Sequence, residues 1–298
     1  MGNERRRHAR SASATAAALF LVGAMLVGTA HADTAIATKA DPKIQAMLPA
    51  KLKEAGQIRV ASNVEYPPFE YFDTDNTTII GLDKDLAEAI GQKLGVKLEF
   101  QHMSFDAIIP ALAANRYDMA MSAMTDTEER RKKVDFVDYF TSGGGFLVKQ
   151  GNPKNIHSLA DICGISVAID KGTTEIDDAK KASDDCVKAG KPEVSAKILP
   201  GTSQIVLALQ AGRADVAMID TAAGAYIAQQ HKGSFEVPGT SYAPRRYGLV
   251  LPKGSDELAK ALQASVQALI DEGTYGKILA KWGQEVGAIK TATINDGQ

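Results

Sequence analysis

The sequence predicts an α/β fold with two similar lobes, each a mostly parallel sheet flanked by helices, and a ligand cleft between the lobes. One observation is an internal repeat: residues 108–121 (IIPALAANRYDMAM) return 97 positions later as residues 205–218 (IVLALQAGRADVAM), with eight of fourteen positions identical. Each copy has the spacing of an amphipathic helix, then a short break and an apolar strand. The other observation is a strand that ends in a polar residue before each copy, at 58–63 and at 165–170. Such a duplication predicts two α/β lobes.

Polar residues follow or end these strands, and they are the first candidates for ligand contact. They are Asn63, the run 122–125, Asp170 and Asp220. Because ligands of open α/β sheets bind at the carboxyl ends of strands, two facing lobes would bring these positions to one cleft. The 97-residue offset makes Ala123 and Asp220 equivalent, so one lobe has a small residue where the other has a carboxylate.

Residues 1–32 have the composition of a cleaved signal peptide. Arginines in the first ten residues precede an apolar stretch at 16–27, and residues 30–32 (AHA) match the small-x-small cleavage pattern. The apolar stretch is too short to span a bilayer. Residues 33–55 form a leader in which we expect a helical turn and little function. We therefore expect a soluble mature protein in the periplasm.

Charge and composition argue against several classes of function. Residues 1–32 hold four of the 34 basic and one of the 36 acidic residues, which leaves a net charge of −5 on the remainder. That charge gives no reason to expect nucleic acid or an anionic membrane as a partner. No spacing is typical of metal ligands or of a Ser-His-Asp triad, so we expect no metal, no cofactor and no catalysis.

Cys163 and Cys186 lie in the second half of the chain with 22 residues between them. In an exported protein, a pair at this spacing is most simply a disulfide. No histidine lies close to either cysteine, which argues against a metal site; two free buried thiols are the alternative.

The first lobe begins with the strand at 58–63. This strand leads into residues 66–70 (YPPFE), where two prolines stiffen a loop that carries aromatic rings. A helix with a buried apolar face is predicted from 82 to 94, followed by a strand at 96–100. Phe105 lies at the start of the first repeat helix, directly after that strand.

A candidate anion site follows the first repeat. Residues 125–128 (TDTE) have the pattern of a capping box that begins at Thr125, and Arg130 lies within the next turn. A helix start with free N–H groups and the bidentate fork of an arginine both suit a carboxylate. The alternative is that Arg130 only belongs to the solvated basic run 130–133.

A glycine-rich crossing at 141–145 (TSGGG) leads from the first lobe into the second. The return crossing is expected near 242–247. With two crossings the first lobe is discontinuous, and we assign residues 56–145 and 246–298 to lobe 1 and residues 146–245 to lobe 2.

In the second lobe, the strand that ends at Asp170 runs into a turn and a helix start. Thr173 and Thr174 in this turn offer hydroxyl and amide groups that could hold another part of an anion. A Gly-Thr-Thr string alone is weak evidence, because many helix caps have this composition.

The chain resembles the periplasmic solute-binding proteins of family 3, which serve ABC importers of polar amino acids and have the type II two-lobed fold. The resemblance covers roughly residues 55–285. It rests on these motifs: 66–70 (YPPFE), 81–86 (GLDKDL), 105–112 (FDAIIPAL), 125–130 with 134–136 (VDF), 172–174 (GTT), 213–220 and 273–275 (GTY).

The resemblance implies which residues hold the carboxylate of an amino acid. In this family an arginine at the position of Arg130 binds the α-carboxylate, together with the group at Thr125. A hydroxyl or backbone group in the turn at Thr173 and Thr174 completes that site.

The resemblance also implies an ammonium site and an aromatic sandwich. An aspartate at the position of Asp220 and backbone near Ala123 hold the α-ammonium. Aromatic rings at the positions of Tyr66 and Phe105 enclose the aliphatic part of the ligand. The alternative for both rings is a place in the core under the loop.

This chain differs from the family pattern at positions that bear on the ligand. Many relatives have an acidic residue where this chain has Asn63, and serine or glycine where it has Ala123. If Asp170 and Glu175 point into the cleft, they would favour a ligand with a cationic or donor-rich side chain. The alternative for Glu175 is an exposed carboxylate at a helix start.

These observations predict a monomeric binding protein that captures an amino acid by lobe closure and delivers it to the permease of an ABC importer. An alternative is an exported cyclohexadienyl (arogenate or prephenate) dehydratase on the same fold, with Glu175 or Lys171 as general acid. A second alternative is a free-standing sensor subunit that binds the same ligand.

Overall fold

The computed structural model describes residues 36–297, and the predicted signal peptide (residues 1–32) lies outside the described residues. In chain order, the strands in this range are β1 (Gln57–Ser62), β2 (Glu65–Tyr66), β3 (Glu70–Phe72), β4 (Ile79–Ile80), β5 (Lys97–His102), β6 (Met119–Ala120), β7 (Val134–Lys149), β8 (Ser166–Asp170), β9 (Ser195–Leu199), β10 (Val216–Asp220), β11 (Phe235–Glu236) and β12 (Tyr242–Pro252). The α-helices are α1 (Pro42–Met47), α2 (Ala50–Ala55), α3 (Leu82–Leu94), α4 (Ile108–Ala113), α5 (Glu128–Arg131), α6 (Glu175–Lys188), α7 (Thr202–Gln210), α8 (Thr221–Gln230), α9 (Asp256–Asp271) and α10 (Thr274–Lys281).

Two long antiparallel strands, β7 and β12, connect the two lobes. Neighbouring strands follow the order β5-β1-β6-β12-β7-β10-β8-β9, and β11 pairs with β7. On one side, β1 is parallel to β5 and β6. On the other side, β8 is parallel to β9 and β10. Each lobe is thus a parallel group of strands that joins the central antiparallel pair, as the α/β prediction required.

The sequence repeat corresponds to a repeated helix and strand. The first copy forms α4 and β6, and the second copy forms α7 and β10. Strand β6 is parallel to β1, and β10 is parallel to β8, so the copies occupy equivalent places in the two lobes. A 3₁₀ turn, Phe105–Ala107, precedes the short α-helix of the first copy.

Apolar side chains cover both faces of each parallel group. In the first lobe, α3 and α9 pack on one face with fully buried Leu86 and Leu262, and α4 covers the other face with Ile108. In the second lobe, α6 lies on one face, while α7 and α8 lie on the opposite face. Because strands enclosed on both faces expose mainly their ends, polar groups concentrate at the carboxyl ends of the strands.

The glycine-rich crossing lies inside the continuous strand β7, where it pairs with β12. A Cβ atom on Gly144 would lie 2.3 Å from the ring of Tyr242, and one on Gly143 would lie 2.3 Å from the Ser241 hydroxyl oxygen. These glycines therefore permit close packing between the two crossing strands. Register shifts interrupt the ladder on either side of the segment from Arg245 to Tyr247.

Two predictions for the chain outside the cleft, a helical turn in residues 33–55 and the disulfide, are confirmed. Helix α1 forms in the predicted leader, and Ile44 buries its side chain. Cys163 and Cys186 form a disulfide that ties the 3₁₀ turn Leu159–Ile162 to α6. Within residues 36–297, none of the helices has the length and apolar character needed to cross a membrane.

Candidate functional site

A cavity lies where the carboxyl ends of strands from both lobes meet. Its volume between atoms is about 480 Å³, part of which is open to solvent. The four predicted strand ends contribute to it: Asn63 follows β1, Ala123 follows β6, and Asp170 and Asp220 end β8 and β10.

The structure brings all ten sequence-predicted binding residues into the lining of this cavity; their roles in binding stay predictions. These residues are Asn63, Tyr66, Phe105, Ala123, Thr125, Arg130, Asp170, Thr173, Thr174 and Asp220. The lining also contains residues outside that set, namely Glu70, Ser122, Glu175, Thr202, Ile205, Met218 and Ile219. The repeat carried a signal for Thr202, since it lies 97 positions after Phe105. Glu70 belongs to the motif 66–70, but no sequence pattern marked it as a cavity residue, because it is a buried residue of β3.

Arg130 lies in the cavity wall of the first lobe and is not merely part of a solvated run. Its Nη1 donates to the carbonyl of Thr125 (2.7 Å), and its Nη2 donates across the cleft to the carbonyl of Gly172 (3.0 Å). The guanidinium carbon lies 5.5 Å from the ring centre of Phe105, a cation–π distance. Burial lowers the pKa of Arg130 to about 10, so the guanidinium stays charged at neutral pH.

The predicted capping box at Thr125 is wrong. Thr127 is the N-cap of α5, and its hydroxyl accepts a hydrogen bond from the Arg130 amide (3.2 Å). Thr125 instead pairs with Tyr247 in an isolated β-bridge. Because that bridge holds Thr125 in an extended conformation, the helix begins at Glu128 and spans only four residues.

Asp220 ends β10 in the second lobe and accepts two tyrosine hydroxyl groups. Tyr66 donates from the first lobe (3.0 Å), and Tyr247 donates from the crossing strand β12 (2.5 Å), both to Oδ2. Burial raises the pKa of Asp220, while the two hydroxyl groups oppose the rise. The Tyr66 ring also packs on the first-lobe core, so this residue both lines the cavity and belongs to the core.

Glu175 is a buried carboxyl group in the cavity wall. It is the first residue of α6, yet only 4% of its surface is exposed, which contradicts the alternative of an exposed carboxylate at a helix start. Its Oε1 is buried with no hydrogen-bond partner among the described residues. Burial, and then the nearby Asp220 carboxylate, raise the pKa of Glu175 to about 8. It is therefore mostly protonated at neutral pH.

Asp170 lies at the second-lobe side of the same cavity. Its Oδ2 accepts from the Thr202 hydroxyl (3.3 Å), and its backbone carbonyl accepts from the Thr173 hydroxyl (2.9 Å). Burial above all, with a smaller effect of the Glu65 and Asp106 carboxylates of the first lobe, raises the pKa of Asp170 to about 6. At pH 7 or above, this group is mostly ionised.

Hydrogen bonds order the first-lobe floor of the cavity. The Ser122 hydroxyl accepts from the amide of Asn63 (2.9 Å) and donates to Glu70 Oε1 (2.9 Å). Ala123 has a left-handed backbone, with φ of 43°, and its amide donates to Asp83 Oδ2 (3.1 Å). An L-residue rarely adopts this conformation, so the Asp83 contact stabilises a strained turn at the cavity surface.

Polar contacts close the cleft at its rim. Lys171 Nζ forms an ion pair with Asp106 Oδ2 of the first lobe (2.7 Å), and the Tyr71 and Tyr226 hydroxyl groups lie 2.9 Å apart. Lys171, one of the two candidate acids of the dehydratase alternative, is not part of the cavity lining. The lobes are therefore in contact both at the rim and around the cavity.

Comparisons with known proteins agree with this architecture. Residues 58–285 match the family described as bacterial extracellular solute-binding proteins, family 3. The chain is 34% identical over 256 residues to the arginine-binding protein ArgT of Corynebacterium glutamicum, covering 86% of this chain and 83% of that protein.

Solved structures of an ancestral arginine-binding protein are also similar. The form bound to arginine is 37% identical with a TM-score of 0.69, and the alignment covers 76% of this chain and 98% of that chain. The form bound to glutamine is 36% identical with a TM-score of 0.71, covering 77% and 99%. These relatives are named as amino-acid-binding proteins, so the comparisons do not favour the dehydratase alternative.

Proposed function

Since this chain belongs to the bacterial extracellular solute-binding proteins of family 3, we propose that it captures a cationic amino acid, with arginine as the leading candidate, for an ABC importer. The observation that carries this proposal is that Arg130 and Asp220, which have opposite charges, line one cavity from opposite lobes. A zwitterion presents one charge of each sign, and both charges must be paired when water is excluded.

The α-carboxylate of the ligand would bind at the first-lobe wall and at the turn before α6. The Arg130 guanidinium offers a planar fork of donors, of which two are used by backbone carbonyls. Thr125 adds a hydroxyl group. Thr174 is the N-cap of α6, a fourteen-residue helix whose first amides carry partial positive charge.

The α-ammonium would bind Asp220. In the structure this carboxylate accepts hydrogen bonds from the hydroxyl groups of Tyr66 and Tyr247. An ammonium group would place a positive charge in direct contact with this carboxylate, and closure of the lobes then pairs both ends of the zwitterion. Tyr66 and Phe105 would flank the aliphatic part of the ligand.

The charge balance of the cavity favours a cationic side chain. Burial raises the pKa values of Glu70 and Glu175, so at neutral pH these carboxyl groups are mostly neutral. We take Asp220 as ionised, because the hydroxyl groups of Tyr66 and Tyr247 both donate to it and favour the charged form, so Arg130, Asp170 and Asp220 give a net charge of −1. A cationic amino acid carries +1 and neutralises the cavity, whereas glutamine leaves one buried carboxylate unbalanced. The relatives named as arginine-binding proteins support the same class of ligand.

The finer organisation is part of this proposal. Residues 56–145 and 246–298 form lobe 1, residues 146–245 form lobe 2, and β7 and β12 act as the hinge between them. Residues 1–32 direct export to the periplasm and are cleaved, and the mature protein works as a monomer beside its permease. N-terminal sequencing of the exported protein should begin at Asp33, and size-exclusion chromatography should give the mass of one chain.

Thermal unfolding with a panel of amino acids tests the function. Mature protein is unfolded and refolded to remove carried-over ligand, and then each of the twenty amino acids, ornithine, citrulline and arogenate is added. Ligand at a hundredfold excess over its Kd stabilises by about 2.7 kcal/mol, which raises the melting temperature by roughly 5–10 °C for a chain of this size. We expect large shifts with arginine, lysine and ornithine. If no amino acid produces a shift, the zwitterion site is refuted.

Two arginine analogues test the ends of the site separately. Agmatine lacks the α-carboxylate that Arg130 would bind, and 5-guanidinopentanoate lacks the α-ammonium that Asp220 would bind. Both should produce far smaller shifts than arginine at equal concentration. An analogue that stabilises the protein as well as arginine does would exclude the residue assigned to the missing group.

A further inference from the structure

At the cavity floor, two buried carboxyl groups are neighbours, because the amide of Asp83 donates to the carbonyl of Phe69, the residue before Glu70 (2.8 Å). Glu70 of β3 and Asp83 of α3 each have a side chain with 0% of its surface exposed. Neither forms an ion pair within residues 36–297. Burial raises the pKa of Glu70 well above its usual range and the pKa of Asp83 to about 6; the neighbouring Asp83 charge further raises that of Glu70. Two adjacent buried carboxylates repel one another, so one of the two groups holds a proton.

The hydrogen bonds indicate which group is ionised. Both oxygens of Asp83 accept from the Tyr139 hydroxyl (2.7 and 2.8 Å), and Oδ2 also accepts from the Ala123 amide (3.1 Å). A carboxylate is an acceptor only, which matches these contacts. Among the described residues, Glu70 accepts a side-chain hydrogen bond from Ser122 at Oε1, and its Oε2 is buried with no hydrogen-bond partner. That free oxygen is the place for the proton.

We propose that Glu70 and Asp83 form a carboxyl–carboxylate pair that positions the ligand-binding strand end Ser122–Ala123, with the proton on Glu70. Ionised Asp83 holds Ala123 in its left-handed conformation, and Glu70 holds the Ser122 hydroxyl. Both held residues line the cavity, as does Glu70, while Asp83 does not. Glu70 and Asp83 are thus positioning residues: they hold Ser122 and Ala123 in place at the floor of the ligand site.

This inference rests on the proposed function only where it is tested by the binding of arginine. Glu70→Gln keeps the size and donor capacity of a protonated glutamic acid, whereas Glu70→Ala removes the group. Asp83→Asn leaves a single oxygen for the hydroxyl and amide donors. We expect E70Q to bind arginine within about threefold of the wild type by calorimetry, and we expect D83N and E70A to bind at least tenfold more weakly. Glu88→Gln, on the same helix as Asp83 and partly exposed, should have no effect.

Infrared spectroscopy and urea unfolding test the pair without any ligand. Infrared difference spectra at pH 7.5 should show the loss of one protonated-carboxyl stretching band in E70Q, separate from the band of the protonated Glu175 that Glu175→Gln removes, and no such loss in E88Q. E70Q should unfold at the wild-type urea concentration, and D83N should unfold at a lower one. If the wild type binds no amino acid but these spectra and midpoints are as expected, the proposed function fails and the pair stands. An E70Q variant that keeps the band, fails to fold, or binds as weakly as E70A overturns the inference.

Discussion

Replacing Asp220 by asparagine keeps the size of the side chain but removes the negative charge that we propose binds the α-ammonium of the ligand. In the structure this carboxylate is buried and is held by the hydroxyl groups of Tyr66 and Tyr247, so water cannot replace the lost charge. Truncating one partner of a buried, hydrogen-bonded charge pair costs about 2–5 kcal/mol. Arginine affinity should therefore fall by a factor of about 30 to several thousand.

Isothermal titration calorimetry with L-arginine measures this loss. Asp215→Asn is the matched control, because Asp215 lies just before the same strand but outside the cavity lining. Asp215 lies within ion-pair distance of exposed Lys154, and exposed pairs contribute little. We expect D215N to bind arginine like the wild type. If D220N binds arginine within threefold of the wild type, Asp220 does not hold the ammonium and the reasoning about the cavity charges is refuted.

The same substitution should have the opposite effect on the unliganded protein. Burial raises the pKa of Asp220 in the folded state, so the folded protein holds this proton at pH values where the unfolded chain has released it. Stability from this group is therefore complete at low pH and is lost as pH rises above the unfolded value of about 3.9. At pH 7.5, D220N lacks this penalty and should melt at a higher temperature than the wild type without ligand. A lower melting temperature would show that the tyrosine contacts outweigh desolvation.

Three further outcomes are expected. With Glu175→Gln, the melting temperature without ligand should fall less between pH 5 and pH 8.5 than that of the wild type. In the wild type, the Glu175 carboxyl ionises at about pH 4.3 in the unfolded chain but only near its pKa of about 8 in the folded protein, so rising pH destabilises the fold. An equal fall in both proteins would show that the folded state does not raise the pKa of this group. Asp170→Lys should abolish calorimetric binding of arginine in a protein that remains folded by circular dichroism, and unchanged affinity would place the side-chain pocket elsewhere. Reduction of the Cys163–Cys186 disulfide, whose cysteines are 23 positions apart, should lower the free energy of unfolding in urea by about 3 kcal/mol through loop entropy, and an unchanged midpoint would contradict this account.

Local patterns predicted most of the secondary structure because they depend on neighbours in the chain. The apolar spacing in the region of α3 and the strand before Asp170 both lie where the sequence placed them. The capping box was wrong because the backbone of Thr125 pairs with Tyr247, a residue 122 positions away. A pattern of four consecutive residues contains no information about such a partner.

The sequence by itself determined the two-lobed α/β fold, the disulfide pair and the set of strand ends that line the cleft, because a repeat and its spacing are properties of the chain. Only the tertiary structure decided how those groups face one another. Tyr66 reaches Asp220 across 154 positions, and Glu175 becomes a buried group although it begins a charged helix. The ionisation of such groups depends on desolvation and on charges brought near by packing, and both exist only once the lobes have closed together.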